Sequence, residues 1–158
     1  MRYTAKELGD AGEDHVVTLL QARGYRAEKL PTNSPTYDVR ASINGHEFFV
    51  SVKVSREKQH VRLGARTAVL RLVEGNFVFA FMPLVGQEIT AFEPEHYQLL
   101  ILPAALVRED SVPVHDAYWA ARGSGTGYSV MVKGYGRNHR EIWPRWLQYR
   151  DAWRLLPR

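Results

Sequence analysis

Between Tyr37 and Val54 the chain alternates apolar and polar residues on either side of Asn44-Gly45. Both residues of that dipeptide tolerate positive φ, so it closes a two-residue β-hairpin. The loop length fixes the pairing: Ile43 faces His46, Ser42 faces Glu47 and Asp38 faces Ser51. Alternation then places Tyr37, Val39, Ala41 and Ile43 opposite His46, Phe48, Val50, Val52 and Val54 on the predicted core face. Upstream, Thr4-Ala5-Lys6-Glu7 reads as a capping box, which predicts a helix from near Ala5 that stops at Gly24. Gly9, Glu13, Val16, Val17 and Leu20 share one stripe of that helix, so a carboxylate interrupts its buried face. The continuous apolar run from Phe77 to Met82, ended by Pro83, predicts a central strand buried on both faces and paired beside the hairpin.

The remaining pattern is weaker. Tyr97 to Leu102 reads as a strand, and Pro103 opens a short helix to about Arg108. Residues 109–127 read as loop, with a flexible glycine run from Gly123 to Gly127 that lacks the lysine of a phosphate-binding loop. Tyr128 to Lys133 reads as a late strand, and Pro144 separates it from a final helix in which Trp146, Tyr149, Trp153 and Leu156 fall at helical spacing. Gly86 to Pro94 fits no pattern.

The hairpin's second face carries the candidate chemistry: Asp38, Arg40, Ser51 and Lys53. Ser51 should lie about 5 Å from Asp38 across the ladder and Lys53 about 7 Å away on the diagonal. An acid and a lysine so placed suit phosphate chemistry; the alternative is a solvated face. Glu47 shares that face but is about 13 Å further along the strand. Glu13 needs a cation, a metal or strong donors, because burying an unpaired carboxylate costs several kcal/mol. Two solutions stay open. Glu13 meets a metal ion, or it forms an ion pair with Lys53 or Arg40.

An Asp at the head of one strand, followed on the next by an acidic or Gln residue, any residue and Lys, marks the PD-(D/E)XK nucleases. Asp38 and Ser51-Val52-Lys53 resemble that motif, as do Gly12-Glu13, the loop Pro31-Thr32-Asn33-Ser34-Pro35 and the flanking Tyr37-Asp38-Val39. The match is strongest over residues 8–55; Leu102-Pro103 and Tyr149-Arg150-Asp151-Ala152-Trp153 look like the tail of small bacterial members. The resemblance implies an α/β, restriction-endonuclease-like fold, a central mixed β-sheet flanked by helices. It also implies Mg²⁺- or Mn²⁺-dependent hydrolysis of DNA, with Asp38 and Glu13 as ligands, Ser51 contributing through its hydroxyl or a water, the Val52 carbonyl completing the shell, and Lys53 assisting the attacking water. Ser51 departs from the motif, and a neutral hydroxyl is a weak ligand for a hard cation. That substitution divides an active nuclease from a non-catalytic descendant that binds nucleic acid or a protein partner. An interaction module with no nucleic-acid role is a third reading.

Composition narrows the setting. The chain has 158 residues, 45% of them hydrophobic, and no cysteine, which predicts one domain over 1–158 with no disulfides, thiolate zinc sites or thiol nucleophiles. No histidine has a partner at zinc-ligand spacing. There is no run of 18 apolar residues and the acidic start is no signal peptide, so the expectation is a cytoplasmic protein with no membrane partner. Residues 133–158 hold seven cations against two acids, a net +5 that leaves −1 for the other 132 residues of a chain of net charge +4. This basic aromatic C-terminal segment suits phosphate contact and base stacking, through Lys133, Arg137 and Arg140 in particular, unless its aromatics pack on the core. After Lys53, the segment bearing Arg56, Lys58 and Arg62 could hold a nucleic-acid backbone near Asp38, with Arg40 beside it. Many proteins of the resembled family pair to cut two strands, so a homodimer is a further expectation.

Overall fold

The computed structural model describes residues 2–123 and 129–158. Helix α1 (Ala5–Ala22) starts where the capping box predicts: the Thr4 side chain accepts the Glu7 N–H and the Glu7 carboxylate accepts the Thr4 N–H. Five strands follow in one mixed sheet of order β1-β2-β3-β5-β6, formed by β1 (Arg26–Lys29), β2 (Val39–Ile43), β3 (His46–Val54), β5 (Phe77–Pro83) and β6 (Tyr97–Pro103). The β3–β5 pair is parallel and the other three are antiparallel. The hairpin register is the predicted one, Ile43 against His46 through Val39 against Val50, with Asn44 and Gly45 at φ of 49° and 80°. Strand β5 is buried along its whole length between β3 and β6, inside the sheet rather than at its edge.

Two apolar layers sandwich the sheet. On one face Leu8, Val16 and Leu20 of α1 meet Val39, Phe48, Val50 and Phe79, and Ala152 and Leu156 of the tail complete that layer. Gly12 makes the approach possible. A Cβ there would stand 2.4 Å from Val54 Cγ2, so the helix can lie this close to β3 only with glycine. On the other face Val78, Ala80, Met82, Leu100 and Leu102 are covered by α3 (Ala104–Ala120), by the two-stranded ribbon of β4 (Val61–Gly64) and β7 (Val130–Val132), and by Trp143 and Trp146. The short helix α2 (Arg66–Val69) packs beside them and is tied to α3 by a two-pronged Arg66–Asp116 ion pair.

Four expectations are corrected. The loop predicted from residue 109 is helix α3 as far as Ala120. Pro113 is tolerated because it lies on the solvent side, where the carbonyl it leaves unpaired reaches water, while Ser111, Val112 and His115 are buried beneath it. A short helix α4 (Arg137–Arg140) precedes Pro144, and the final helix predicted after that proline is instead broken into the end of α5 (Trp143–Trp146) and two 3-10 turns. The chain leaves helical geometry because Arg150 bridges to Leu100 and the Asp151 N–H donates to the Leu99 carbonyl, so the tail covers the exposed edge of β6. Tyr37 sits on the opposite face from the one predicted, beside the Phe49 ring, since the extended alternation begins only at Val39. The segment after Lys53, in which no strand is predicted, contains β4, whose Val61 and Leu63 are core residues. Residues 124–128, which hold most of the glycine run and the predicted start of the late strand, lie outside the described residues.

Candidate active site and nucleic-acid surface

Asp38 stands immediately before β2 and is held on three sides. Its N–H donates to the Val50 carbonyl at 2.9 Å, its carbonyl accepts the Leu30 N–H at 2.8 Å, and its Oδ2 accepts the Val52 N–H at 2.7 Å. The N–H and C=O of a residue in an antiparallel ladder point to the same neighbour, so the Val52 carbonyl also faces the β2 side of the strand. The preceding Tyr37 is anchored through its hydroxyl, which accepts from the Val73 N–H and the Asn76 amide and donates to the Arg71 carbonyl, each at 3.1–3.2 Å. Asn76 in turn accepts the Phe49 N–H at 2.8 Å. This polar knot fixes where the loop delivers Asp38, and nothing in the hairpin pattern announces it.

Asp38, Ser51 and Lys53 line one cavity of about 160 Å³, roofed by Leu63, Gly64, Ala68 and Val69. Ser51 is buried, with its neighbours on β5 in the covered layer. The predicted face is therefore a lined hollow rather than a solvated surface. Glu13 reaches the same region from α1, on the flank of the buried stripe Leu8, Gly12, Val16 and Leu20. Burial and then the Asp38 charge push its pKa from 4.5 up to about 7. Burial raises the Asp38 carboxyl as well, against the lowering effects of the Val52 N–H and Lys53. Lys53 moves the other way: burial lowers its pKa, and the charges of Asp38 and Glu13 only partly restore it. Neither predicted partner of Glu13 pairs with it. Arg40 is engaged by Glu28 and by Glu47, and the cation nearest Glu13 is Lys29, at 3.9 Å and also 3.2 Å from Asp14. Lys29 is the site residue the sequence reading missed. It comes from β1, an edge strand of four residues with no alternation to reveal it.

The donor set is chemically that of a hard divalent cation: two crowded carboxylates whose charge is costly, a backbone carbonyl and a hydroxyl, with no thiolate or imidazole. A second group of ligand-bearing side chains among the described residues, Glu93, Glu95 and His96, is remote in sequence and largely exposed on a 3-10 turn.

The predicted phosphate-binding cations divide into three places. Arg56 and Arg62 line a hollow of about 270 Å³ that shares Lys53 with the cavity of Asp38, and Lys58 is exposed in the loop between them. Lys133 and Arg137 line a different cleft beside α3, and Arg140 is exposed at the end of α4. Arg40 lies apart, between two glutamates on the open half of the hairpin, so its charge is already met. The expectation of stacking aromatics in the tail is also revised: Trp143 and Trp146 are buried, whereas Tyr135 is 64% exposed.

The mixed five-stranded sheet flanked by helices on both faces is the restriction-endonuclease-like fold. No protein-family model and no curated protein matches the chain. Among solved structures it is similar to the bacterial homing endonuclease I-Ssp6803I, with a TM-score of 0.57 at 18% identity over 98% of this chain and 91% of the other. It is also similar to Hjc, a Holliday junction resolvase of Archaeoglobus fulgidus, with a TM-score of 0.47 at 15% identity over 79% of this chain and 83% of the other. Among the described residues no helix is long and apolar enough to cross a membrane.

Proposed function

We propose that this protein is a divalent-metal-dependent DNA endonuclease centred on Asp38, Glu13 and Lys53. The observation that carries the reading is a part-buried Glu13 brought near Asp38, where burial first and the Asp38 charge second push its carboxyl up to about 7. A fold rarely keeps two half-buried carboxylates together with no purpose for their charge, and strongly perturbed groups gather at functional sites. The likeness in fold to a homing endonuclease supports the reaction class. Asp38 and Glu13 would hold Mg²⁺ or Mn²⁺, with the Val52 carbonyl and Ser51 hydroxyl as further oxygen donors. A bound cation supplies charge neutralisation at the phosphodiester and a more acidic water. Lys53 orients that water or meets the charge that develops on the phosphate oxygens, and its partly desolvated ammonium strengthens the interaction. The Val52 N–H holds Asp38 Oδ2, which leaves Oδ1 for the cation. Arg56, Lys58 and Arg62 would carry the flanking phosphates, and a second copy of the chain would supply the second centre for cutting both strands.

Ser51 favours one other reading, a binding protein that has kept the fold and lost the chemistry. The two are separated by incubating the protein with plasmid and single-stranded DNA in Mg²⁺ and in Mn²⁺, alongside Asp38→Ala and Lys53→Ala. Cleavage by the wild type that disappears in both variants is the expected result, and a wild type as inert as its variants refutes catalysis. Ser51→Glu should tighten Mn²⁺ binding measured by calorimetry, because it restores a carboxylate beside Asp38.

A further inference from the structure

Two tyrosines lie outside both apolar layers and outside the site described above. Tyr118 on α3 is 37% exposed and Tyr135, in the turn between β7 and α4, is 64% exposed. They face a cleft of about 350 Å³ walled by Val114, Ala117 and Ala121. Every charged residue in its described lining is basic: Arg122, Lys133 and Arg137. The Arg122 guanidinium lies 3.4 Å from the centroid of the Tyr118 ring, and the Lys133 ammonium stands 5.5 Å from Tyr118 and 5.4 Å from Tyr135. Lys133 therefore sits between the two rings. The turn that carries it is rigidly tied, since the Lys133 N–H donates to His139 Nδ1 at 3.1 Å and its carbonyl accepts the Trp143 indole N–H at 2.7 Å.

Building on the nucleic-acid reading, we propose that this cleft holds an unstacked base of single-stranded DNA, so that the substrate carries a single-stranded arm. Aromatic and guanidinium faces stack on any base, and the interleaved cations meet the phosphates on either side. A base within a duplex cannot enter a cleft of this kind without first leaving its stack, which costs a few kcal/mol. An arm already single-stranded enters freely.

The cleft is joined to the candidate active site by packed backbone. Strand pairing sets Val61 against Val132, so Lys133 follows directly beyond the end of β4 where His60 lies. Gly134 rests on the Gln59 carbonyl, and a Cβ there would come within 2.9 Å of it. His60 and Arg62 then line the hollow that shares Lys53 with the cavity of Asp38. A strand cut beside Lys53 can thus continue past Arg56 and Arg62 toward the tyrosines, and Glu57, 3.6 Å from His60 Nδ1, is the one carboxylate among the described residues that line this hollow.

The test is fluorescence anisotropy in EDTA, with a labelled oligothymidylate of about 8–12 nucleotides and a duplex of the same length. Tyr135→Ala should weaken oligothymidylate binding about tenfold, Tyr135→Phe should bind like the wild type, and duplex binding should be unchanged in both. Tyr135 is exposed on a turn, so its loss leaves the fold intact; circular dichroism confirms this. Metal-dependent cleavage of plasmid by the wild type, and its loss in Asp38→Ala, report on the catalytic reading separately. Unchanged oligothymidylate binding by Tyr135→Ala overturns the proposal, as does an equal loss on both probes. Wild-type binding to duplex alone overturns it too, while leaving the nuclease reading in place.

Discussion

Glu13→Gln should stabilise the metal-free protein above neutral pH and leave it unchanged in mild acid. The Glu13 carboxyl loses its proton at about 7 in the fold and at 4.5 in the unfolded chain. Because its folded value is raised, the native state binds the extra proton, and stability falls as pH rises between those two values. At full strength the ionised carboxylate would cost about 3 kcal/mol above pH 7. Solvent reaches this part-exposed group, which reduces the penalty to about 1–2 kcal/mol. Glutamine keeps the size of the side chain and removes the charge. The attraction of Lys29, at 3.9 Å a long contact at a partly exposed position, is already contained in that raised value and needs no separate subtraction. For a chain of this length the net gain corresponds to a rise in Tm of about 2–6 °C at pH 8. The assay is thermal unfolding in EDTA at pH 5 and pH 8 for the two proteins. Divalent metal should then reverse the order at pH 8, since only the wild type offers both carboxylates and binding to the native state raises Tm. Equal melting at pH 8 in EDTA, or a less stable glutamine variant, would show that Glu13 is comfortably ionised beside Lys29 and would refute the crowding on which the metal site rests.

Two further substitutions test how the site is positioned. Gly12→Ala should cost about 1–3 kcal/mol in denaturant unfolding, because the added methyl meets Val54 Cγ2 at 2.4 Å and must push α1 away from β3. The same displacement carries Glu13 from Asp38, so metal affinity should fall with it; an unaffected affinity would separate the helix from the site. Tyr37→Phe removes the hydroxyl shared by Val73, Asn76 and Arg71 and should cost about 1–2 kcal/mol, seen as a lower midpoint in urea. A midpoint unchanged by that variant would mean that water replaces the hydroxyl and that the knot does not hold the Asp38 loop.

Much of this molecule is written in local pattern. The Asn44-Gly45 turn sets a register that cannot slip without turning Val39, Phe48 and Val50 out of the core, so the pairing from Ile43 against His46 to Val39 against Val50 follows from counting residues. The capping box begins α1, and the unbroken apolar run of β5 marks a strand inside the sheet, because both features depend on neighbours a few residues apart. The acid and the lysine were legible for the same reason. Long-range packing decided the rest. Pro113 argues locally for a break, yet α3 continues through it because the buried side of the helix is paired to the sheet while the proline faces water. The tail has helical spacing, yet it leaves the helix to cover β6, an edge that exists only once the sheet has formed. Lys29 arrives beside Glu13 from an edge strand, and Tyr118 meets Lys133 from an element distant in sequence. The sequence by itself determined the pairing of β2 with β3 and which of their side chains share a face from Val39 onward, since those follow from the turn and the period of the backbone. The tertiary structure alone decided what covers each face, and so which charges are crowded, which are neutralised and which remain open to a ligand.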